Sequence, residues 1–278
     1  MVEIGRLNNL RIVKEVDFGL YLDGGSMGEI LLPKRYVPHD FKIDEFLEVF
    51  IYKDSEDRII ATTEKPYAMA GEFALLQTIA VDKYGAFMNW GLMKDLLVPF
   101  SEQQVRMEQG KKYIIRVFLD EKTQRIAASA RIEKFLDKTS PVYHEGQEVN
   151  ILVANQTELG YKVIINNSHI GIIYENEVYQ PIERGQRLIA YIKKVREDKK
   201  IDICLNKPGY EKIDLLTDRI IKILRENDGF LSLNDKSDSD EIKKMFNESK
   251  KTFKKAIGSL YKKKKILIEK HGIRLLSK

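Results

Sequence analysis

Alternating apolar and polar residues, in short runs, make up most of the first two hundred positions of the chain, and one pattern returns three times. Residues 17–22 (DFGLYL) and residues 83–88 (KYGAFM) both read aromatic-Gly-apolar-aromatic-apolar, 66 residues apart. Residues 158–163 (ELGYKV) form a third copy 75 residues further on, in which both aromatic positions are replaced. Alternation with a period of two predicts β-strands, and its recurrence predicts a repeated unit.

The same succession of strands follows each copy. It consists of an apolar strand, a longer β-rich run that ends in a charged turn, and a short final strand. In that order, these elements lie at residues 29–33, 46–54 and 58–61 of the first unit, at residues 95–99, 113–120 and 125–128 of the second, and at residues 171–174, 188–198 and 200–203 of the third. Each unit therefore has five short strands in about 65–70 residues. Closure into a small barrel removes the exposed edges that an open sheet of this size would leave. The glycine in the second strand indicates a sharp bend or a close approach of two backbones, as barrel corners require.

Helical spacing replaces the alternating pattern from residue 210 onward. Apolar residues three and four apart predict a first helix that ends at residues 227–229, and residues 237–240 (SDSD) cap a second. A third helix begins at residues 247–249 and continues to about residue 264. A β-hairpin over residues 266–275 follows it. Three helices and a hairpin resemble a winged helix, with the third helix in the recognition position.

Charge is distributed unevenly between these two parts. The chain holds 47 Lys+Arg and 42 Asp+Glu, a net charge of +5, but residues 210–278 carry +7 and residues 1–209 carry −2. Eight lysines and no acidic residue lie between Lys250 and Lys265. This pattern predicts a basic C-terminal module that can meet a polyanion, and its alternative is a solvated lysine-rich helix.

The remaining composition excludes several classes of protein. No apolar run approaches the roughly 20 residues that cross a bilayer, so we expect no membrane partner. A single cysteine, Cys204, excludes an intramolecular disulfide, and with four scattered histidines it argues against a structural zinc site. We therefore expect a cytoplasmic protein with no metal and no cofactor.

The repeated unit resembles the S1 family of OB-fold RNA-binding domains. That family has aromatic-Gly-x-aromatic in its second strand, Gly-x-x-His in its third, and Asp followed by Arg before its last strand. The resemblance implies RNA contacts by three groups of residues: Phe18, Tyr21 and Arg58 in the first unit, Tyr84, Phe87 and Arg125 in the second, and Lys162 and Tyr174 in the third. Rings that point outward offer stacking platforms for unpaired bases.

Departures from the family pattern weaken the expectation of RNA binding most for the third unit. The family's histidine is replaced by Leu31, Leu97 and Tyr174, and Leu159 and Lys162 stand where the third unit would have aromatic rings. The alternative for every ring is packing within the barrel or against the next domain. For Asp54 and Asp120 we expect a role in the turn rather than contact with a ligand.

The third helix of the basic module presents lysines opposite its apolar stripe. We expect phosphate contacts from Lys250, Lys251, Lys254, Lys255 and Lys262. Lysine is a point charge without the forked geometry with which arginine reads guanine, and this face has neither Arg nor Gln. The face therefore predicts binding with little sequence reading, and Gly258 on the same side would admit a nucleic-acid backbone.

The order of three S1-like barrels and a winged helix resembles the conserved virulence factor B family of bacterial RNA-binding regulators. The strings at residues 19–23 (GLYLD) and 31–33 (LLP) also match that family. We expect a mainly β chain with an α-helical C-terminus, divided into barrels at residues 1–66, 67–140 and 141–209 and a winged helix at residues 210–278. The resemblance implies a cytoplasmic protein that acts after transcription by binding single-stranded RNA.

Catalysis is not expected, because the barrels and the winged helix leave no residues for a catalytic domain. No phosphate-binding loop, nucleophile elbow or paired-metal cluster is present in the sequence. Two other functions remain open. The winged helix could read duplex DNA as a transcriptional regulator, or the near-neutral barrels could serve as a protein-interaction scaffold, for example on the ribosome. The oligomeric state is not predicted.

Overall fold

A computed structural model describes residues 1–178, 181–207 and 210–276. Its contacts divide the chain into two compact units, one of residues 1–142, 149–189 and 196–202 and the other of residues 143–148, 190–195 and 203–278. The mainly β fold of S1-like barrels followed by a winged helix is confirmed. The boundaries after residues 66, 140 and 209 remain predictions, and the last falls beside residues 208 and 209, outside the described residues.

The first barrel closes on itself in the strand order β1-β2-β3-β5-β4. Its strands are β1 (Leu7–Val16), β2 (Gly19–Asp23), β3 (Glu29–Pro33), β4 (Phe46–Lys53) and β5 (Ile59–Thr62). Alternate residues such as Leu20 and Leu22 point into a core with Ile30 and Leu32, while Tyr21 between them faces outward. Closure comes from β3 and β5, which pair in parallel at Leu31 and Ile60.

The second barrel repeats this arrangement with one difference. Its strands are β6 (Phe73–Val81), β7 (Gly85–Asn89), β8 (Leu96–Pro99), β9 (Lys112–Leu119) and β10 (Ile126–Ser129). They form a five-stranded sheet in the order β10-β9-β6-β7-β8. The edge strands β8 and β10 approach within 8 Å between Cα atoms without a hydrogen-bonded ladder. The barrel is thus closed by packing rather than by backbone pairing.

The third barrel is closed by hydrogen bonds, in the order β11-β12-β13-β15-β14. Its strands are β11 (Glu148–Thr157), β12 (Gly160–Ile165), β13 (His169–Tyr174), β14 (Arg187–Val195) and β15 (Ile201–Cys204). In all three barrels the first strand carries a β-bulge at the same place, between Ile12 and Lys14, Thr78 and Ala80, and Val153 and Asn155. A bulge bends the strand, and a barrel wall needs that curvature.

The C-terminal module has the three helices and the hairpin that the sequence predicts. Its elements are α1 (Tyr210–Glu226), β16 (Phe230–Leu231), α2 (Ser239–Phe246), α3 (Lys250–Lys262), β17 (Ile266–Glu269) and β18 (Gly272–Leu275). Asp238 caps α2 by accepting from the backbone N–H of Asp240 at 2.7 Å, and Ser249 caps α3. The short strand β16, where the sequence indicated only a loop, pairs with β18.

Candidate nucleic-acid interface

The first barrel presents two aromatic rings on one outward surface. Phe18 lies in the turn between β1 and β2 and is 56% exposed, while Tyr21 lies on β2 and is half-buried. Their ring centroids are 6.3 Å apart and their planes are nearly perpendicular. The ammonium of Lys14 lies 4.9 Å from the Tyr21 centroid. Two rings with an adjacent cation are a surface on which a base can stack and a phosphate can be held.

Arg58 follows the charged turn of the same barrel and is already paired. Its guanidinium Nε donates to Asp54 Oδ2 at 2.8 Å, and a second nitrogen meets Glu56 at 2.9 Å. Asp54 Oδ1 also accepts from the backbone N–H groups of Glu56 and Arg58. Burial raises the pKa of Asp54, but these hydrogen bonds outweigh it and the pKa is lowered. The expected turn role of Asp54 is confirmed.

The second barrel places its rings in the same positions. Tyr84 lies in the β6–β7 turn and is 62% exposed, and Phe87 is half-buried on β7. The turn is fixed by Asp82, whose Oδ1 accepts from the backbone N–H of Tyr84 at 2.7 Å. The ammonium of Lys83 lies 5.1 Å from the Tyr84 centroid. Barrels one and two therefore repeat an exposed ring, a half-buried ring and a lysine.

Arg125 makes a different contact from its counterpart Arg58. Its Nε donates to Asp57 Oδ1 of the first barrel at 2.7 Å, and a second nitrogen donates to the other carboxylate oxygen. This bidentate pair lowers the pKa of Asp57 and joins the two barrels. Asp120 accepts from the backbone N–H groups of Lys122 and Thr123, which confirms its expected turn role. Arg125 is thus a clamp between barrels as well as a predicted RNA contact.

A cavity of about 590 Å³ opens beside Tyr84 and Phe87. Both barrels line it, the first through Lys53 and the second through Arg125 among others. Trp90 is 2% exposed and packs against Phe50 with ring centroids 5.7 Å apart. Trp90 is therefore a core residue of the joined barrels.

In the third barrel the strand register corrects one sequence equivalence. Leu31 and Leu97, which stand at the family's histidine position, pair with Tyr21 and Phe87 on the second strand. Lys162 is the third barrel's counterpart of Tyr21 and Phe87, and it pairs with Ile172. Ile172 therefore holds the histidine position in the third barrel. Tyr174 pairs instead with Gly160 and corresponds to Pro33 and Pro99. The placement of Tyr174 at the family's histidine position was wrong, because spacing along β13 was counted from its glycine without knowledge of the pairing.

Arg196 organises the third barrel's outer surface, and sequence reasoning missed it. Arg196 occupies the turn position that Asp54 and Asp120 hold in the other barrels. Its backbone N–H donates to the carbonyl oxygen of Lys200, as those of Asp54 and Asp120 donate to the carbonyl oxygens of Arg58 and Arg125. Its Nε lies 3.0 Å from both carboxylate oxygens of Asp202, and a second nitrogen donates to the Tyr174 hydroxyl. An alignment of the three turn sequences would have shown that Arg196 replaces the aspartate of the other two turns.

The surface around Arg196 forms a second cavity of about 560 Å³. Lys162, Tyr174 and Lys200 line it together with Leu159, which is 64% exposed where the other barrels carry a ring. Lys162 lies 3.7 Å from Glu133. The cavity has apolar and cationic walls, and its lining also includes Glu158 and the Asp202 that pairs with Arg196. Leu159 stands in the position where Phe18 and Tyr84 provide an exposed ring.

The lysine surface of α3 is open to solvent. Phe253, Ala256, Ile257 and Leu260 bury the opposite side of the helix. Lys251, Lys254, Lys255 and Lys262 are exposed, and within the described residues none of them has an acidic partner. Lys250 is half-buried and reaches the carbonyl oxygen of Lys236 at 3.4 Å. A Cβ added to Gly258 would meet no atom within 4 Å, so the middle of the surface is unobstructed.

The described residues contain neither a metal-binding cluster nor a helix suited to crossing a membrane. No group of three or more His, Cys, Asp or Glu side chains in residues 1–178, 181–207 and 210–276 could hold a metal ion. Over the same ranges no helix combines the length and apolar character that crossing a membrane requires. Cys204 is buried in β15.

Comparison with known proteins gives two domain matches. Residues 4–64 match the model of the S1 domain, and residues 218–275 match the model of the CvfB-like winged helix domain. Neither model describes a catalytic family. The first match covers the barrel that carries Phe18 and Tyr21, and the second covers the lysine surface of α3.

Curated relatives match over nearly the full chain. The uncharacterized protein YitL of Bacillus subtilis is 27% identical over 95% of this chain and 91% of its own length. Conserved virulence factor B is 26% identical in Staphylococcus epidermidis and 24% in Staphylococcus aureus, each over 99% of this chain and 95% of the relative. The predicted resemblance to the conserved virulence factor B family is confirmed, and the chain is a nucleic-acid-binding protein by its domains.

Solved structures also match this chain, among them one that covers nearly its full length. A crystal structure of a multidomain protein with nucleic acid binding domains from Streptococcus pneumoniae TIGR4 is 26% identical, covers 98% of each chain and has a TM-score of 0.40.

Proposed function

We propose that this protein binds single-stranded RNA through its S1-like barrels and holds phosphates on the lysine surface of its winged helix. The observation that carries the proposal is the repeated outer surface of barrels one and two. Phe18 and Tyr84 are more than half exposed in equivalent turns, each near a half-buried ring, Tyr21 or Phe87. Solvent-exposed rings gain little by packing within the barrel, so a stacking partner accounts for them better.

Modest contacts of this kind add up when they lie on one chain. Each base stacked on an aromatic ring contributes roughly 1–3 kcal/mol, and lysines add phosphate contacts that do not depend on sequence. Linked sites bind with a high effective concentration, so weak modules produce useful affinity together. In the third barrel, Lys162 and Tyr174 offer a cation and a hydroxyl but no exposed ring, and we assign it the weaker contribution.

The cellular role follows from the resemblance and the domain content. We propose a non-enzymatic, cytoplasmic regulator that acts on gene expression after transcription. Its support is the S1 match, the winged-helix match and relatives named as virulence factors over nearly the whole chain. The two matched domains, at residues 4–64 and 218–275, are not catalytic domains.

The test is fluorescence anisotropy of the full chain with a labelled, unstructured RNA of about 20 nucleotides and a duplex DNA of equal length. The double variant Phe18→Ala/Tyr84→Ala removes both exposed platforms. We expect it to keep its fold and to bind the RNA at least tenfold more weakly, which corresponds to losing about one stack. A matched control is Phe46→Ala, since Phe46 is 65% exposed on β4 but lies outside the repeated motif.

The outcomes separate the three functions. Preference for the RNA together with loss in the double variant supports the proposal. Preference for the duplex, unaffected by Phe18→Ala/Tyr84→Ala, would transfer the function to the winged helix as a DNA-binding regulator. Absence of binding to both nucleic acids would favour the protein-interaction scaffold on the ribosome or elsewhere.

A further inference from the structure

The cavity of about 590 Å³ lies between two barrels that are packed as one body. Phe50 of the first barrel belongs to the same core as Met88, Trp90 and Leu96 of the second. Across this junction the Lys94 ammonium donates to the carbonyl oxygens of Lys53 and Asp54, at 2.9 and 2.7 Å. The walls of the cavity are therefore fixed in relation to each other before any ligand enters.

The cations at the cavity are all engaged in that junction. Lys94 is held as described, the Lys53 ammonium donates to the carbonyl oxygen of Thr123 at 3.1 Å, and Arg125 is paired with Asp57. Burial and the nearby Arg125 lower the pKa of Lys94, as expected for an ammonium that has left bulk water. These three cations build the walls, and Lys83 beside the Tyr84 ring lies outside the lining, so little positive charge within the cavity is free to attract an anion.

One carboxylate at the cavity is free. Asp95 precedes the buried Leu96 at the start of β8, and alternation places its side chain on the outward surface with Leu97. Within the described part of the chain its carboxylate makes no hydrogen bond or ion pair, and partial burial raises its pKa. Asp120, the other carboxylate at the cavity, already accepts from the Lys122 and Thr123 backbones.

The other barrels do not repeat this free carboxylate. By strand register the position of Asp95 corresponds to Glu29 in the first barrel and to Ile170 in the third. The carboxylate of Glu29 is neutralised by Lys14, whose Nζ lies 2.6 Å from Glu29 Oε2, and Ile170 is apolar. At this strand position an unpaired carboxylate is thus a property of the second barrel alone among the described residues.

Such a site selects a flat ligand with hydrogen-bond donors on one edge. The rings of Tyr84 and Phe87 and the apolar side chains of Leu97 and Pro99 offer surface for a base. A carboxylate accepts hydrogen bonds through two oxygens side by side. Among the RNA bases only guanine carries two adjacent donors, N1–H and the N2 amino group, on its Watson–Crick edge.

We propose that the cavity between the first two barrels is a guanine-selective site, in which Asp95 accepts hydrogen bonds from N1–H and the N2 amino group of a base held against Tyr84 and Phe87. This inference rests on the proposed RNA binding and deepens it. Adenine and cytosine place a bare ring nitrogen beside their amino group, which repels the second carboxylate oxygen. Uracil flanks its single N–H with two carbonyl oxygens, so it fits least.

The test uses the full chain and labelled uridine-rich 12-nucleotide RNAs that differ only at one central base. We expect a central guanosine to bind at least tenfold more tightly than a central uridine, since hydrogen bonds to charged groups are the strong ones. A central inosine, which lacks only the N2 amino group, should lie between the two. In Asp95→Ala the three affinities should converge to within about threefold, because the carboxylate that reads the edge is gone.

Glu29→Ala is the matched control, because it removes a carboxylate from the equivalent strand position outside the cavity. The guanosine-to-uridine ratio should persist in this variant. Equal affinity for guanosine and uridine in the unaltered protein, or an unchanged ratio in Asp95→Ala, would overturn the guanine site while leaving RNA binding in place. Absence of binding to any of the RNAs would overturn the proposed function and this inference together.

Discussion

Gly19, Gly85 and Gly160 begin the second strand of their barrels, at points where a neighbouring carbonyl oxygen leaves no room for a side chain. A Cβ at these positions would lie 2.1–2.2 Å from the oxygens of Leu32, Val98 and Ile173. The repeated glycine therefore has a packing cause that precedes any ligand. In the first two barrels it lies directly after the residue that carries the exposed ring, Phe18 or Tyr84.

The residue-scale prediction is that Gly85→Ala destabilises the protein through this close approach. Val98 O is a backbone atom within a sheet, so the strands must separate to admit a methyl group. Gly110→Ala is the control, since Gly110 also has a positive φ but no atom within 4 Å of an added Cβ. We expect Gly110→Ala to lower the free energy of unfolding by about 1–2 kcal/mol. Gly85→Ala should lower the free energy of unfolding by about 1–3 kcal/mol more than Gly110→Ala does. Urea denaturation measures both, and equal losses would contradict the packing argument.

At the scale of elements, the sequence predicts what depends on local periodicity. The strands of all three repeats, the Asp238 cap and the terminal hairpin lie where alternation and turn residues put them. Pairing between distant segments is not visible in that signal. The Arg125–Asp57 pair joins residues 68 apart, and the counterpart of Leu31 in the third barrel could be found only from its ladder. The free state of Asp95 likewise depends on which cations the barrel junction has already engaged.

The element-scale prediction is that barrels one and two unfold together. Phe50 is fully buried in the core that both share, whereas Ile12 is buried in the core of the first barrel alone. Phe50→Ala should cost about 3–5 kcal/mol and Ile12→Ala about 2–5 kcal/mol. Hydrogen exchange should show lost amide protection in β4 and in β7 for Phe50→Ala, but mainly in β1 to β5 for Ile12→Ala. Loss confined to the first barrel in both variants would mean that the junction does not couple them.

At the scale of the whole molecule, the two kinds of module divide the work by charge. Residues 1–209 carry a net charge of −2, so their affinity for RNA has to come from rings and specific hydrogen bonds. Residues 210–278 carry +7, and within the described part of the chain the exposed lysines of α3 have no acidic partner. Binding by the lysines releases counterions and falls with salt, while stacking is far less sensitive to it. The two contributions can therefore be measured separately in one protein.

The salt dependence of RNA binding tests this division. Replacing Lys251, Lys254 and Lys255 by Ala removes three charges from the exposed surface of α3. The slope of log affinity against log salt should become shallower by roughly 0.7 for each lost phosphate contact, about 2 in total for single-stranded RNA. The matched control Lys222→Ala/Lys243→Ala/Lys244→Ala removes the same charge from α1 and α2. Since both triple variants have equal net charge, a slope that changes in the first and not in the second locates the contacts on α3, and equal slopes would exclude them.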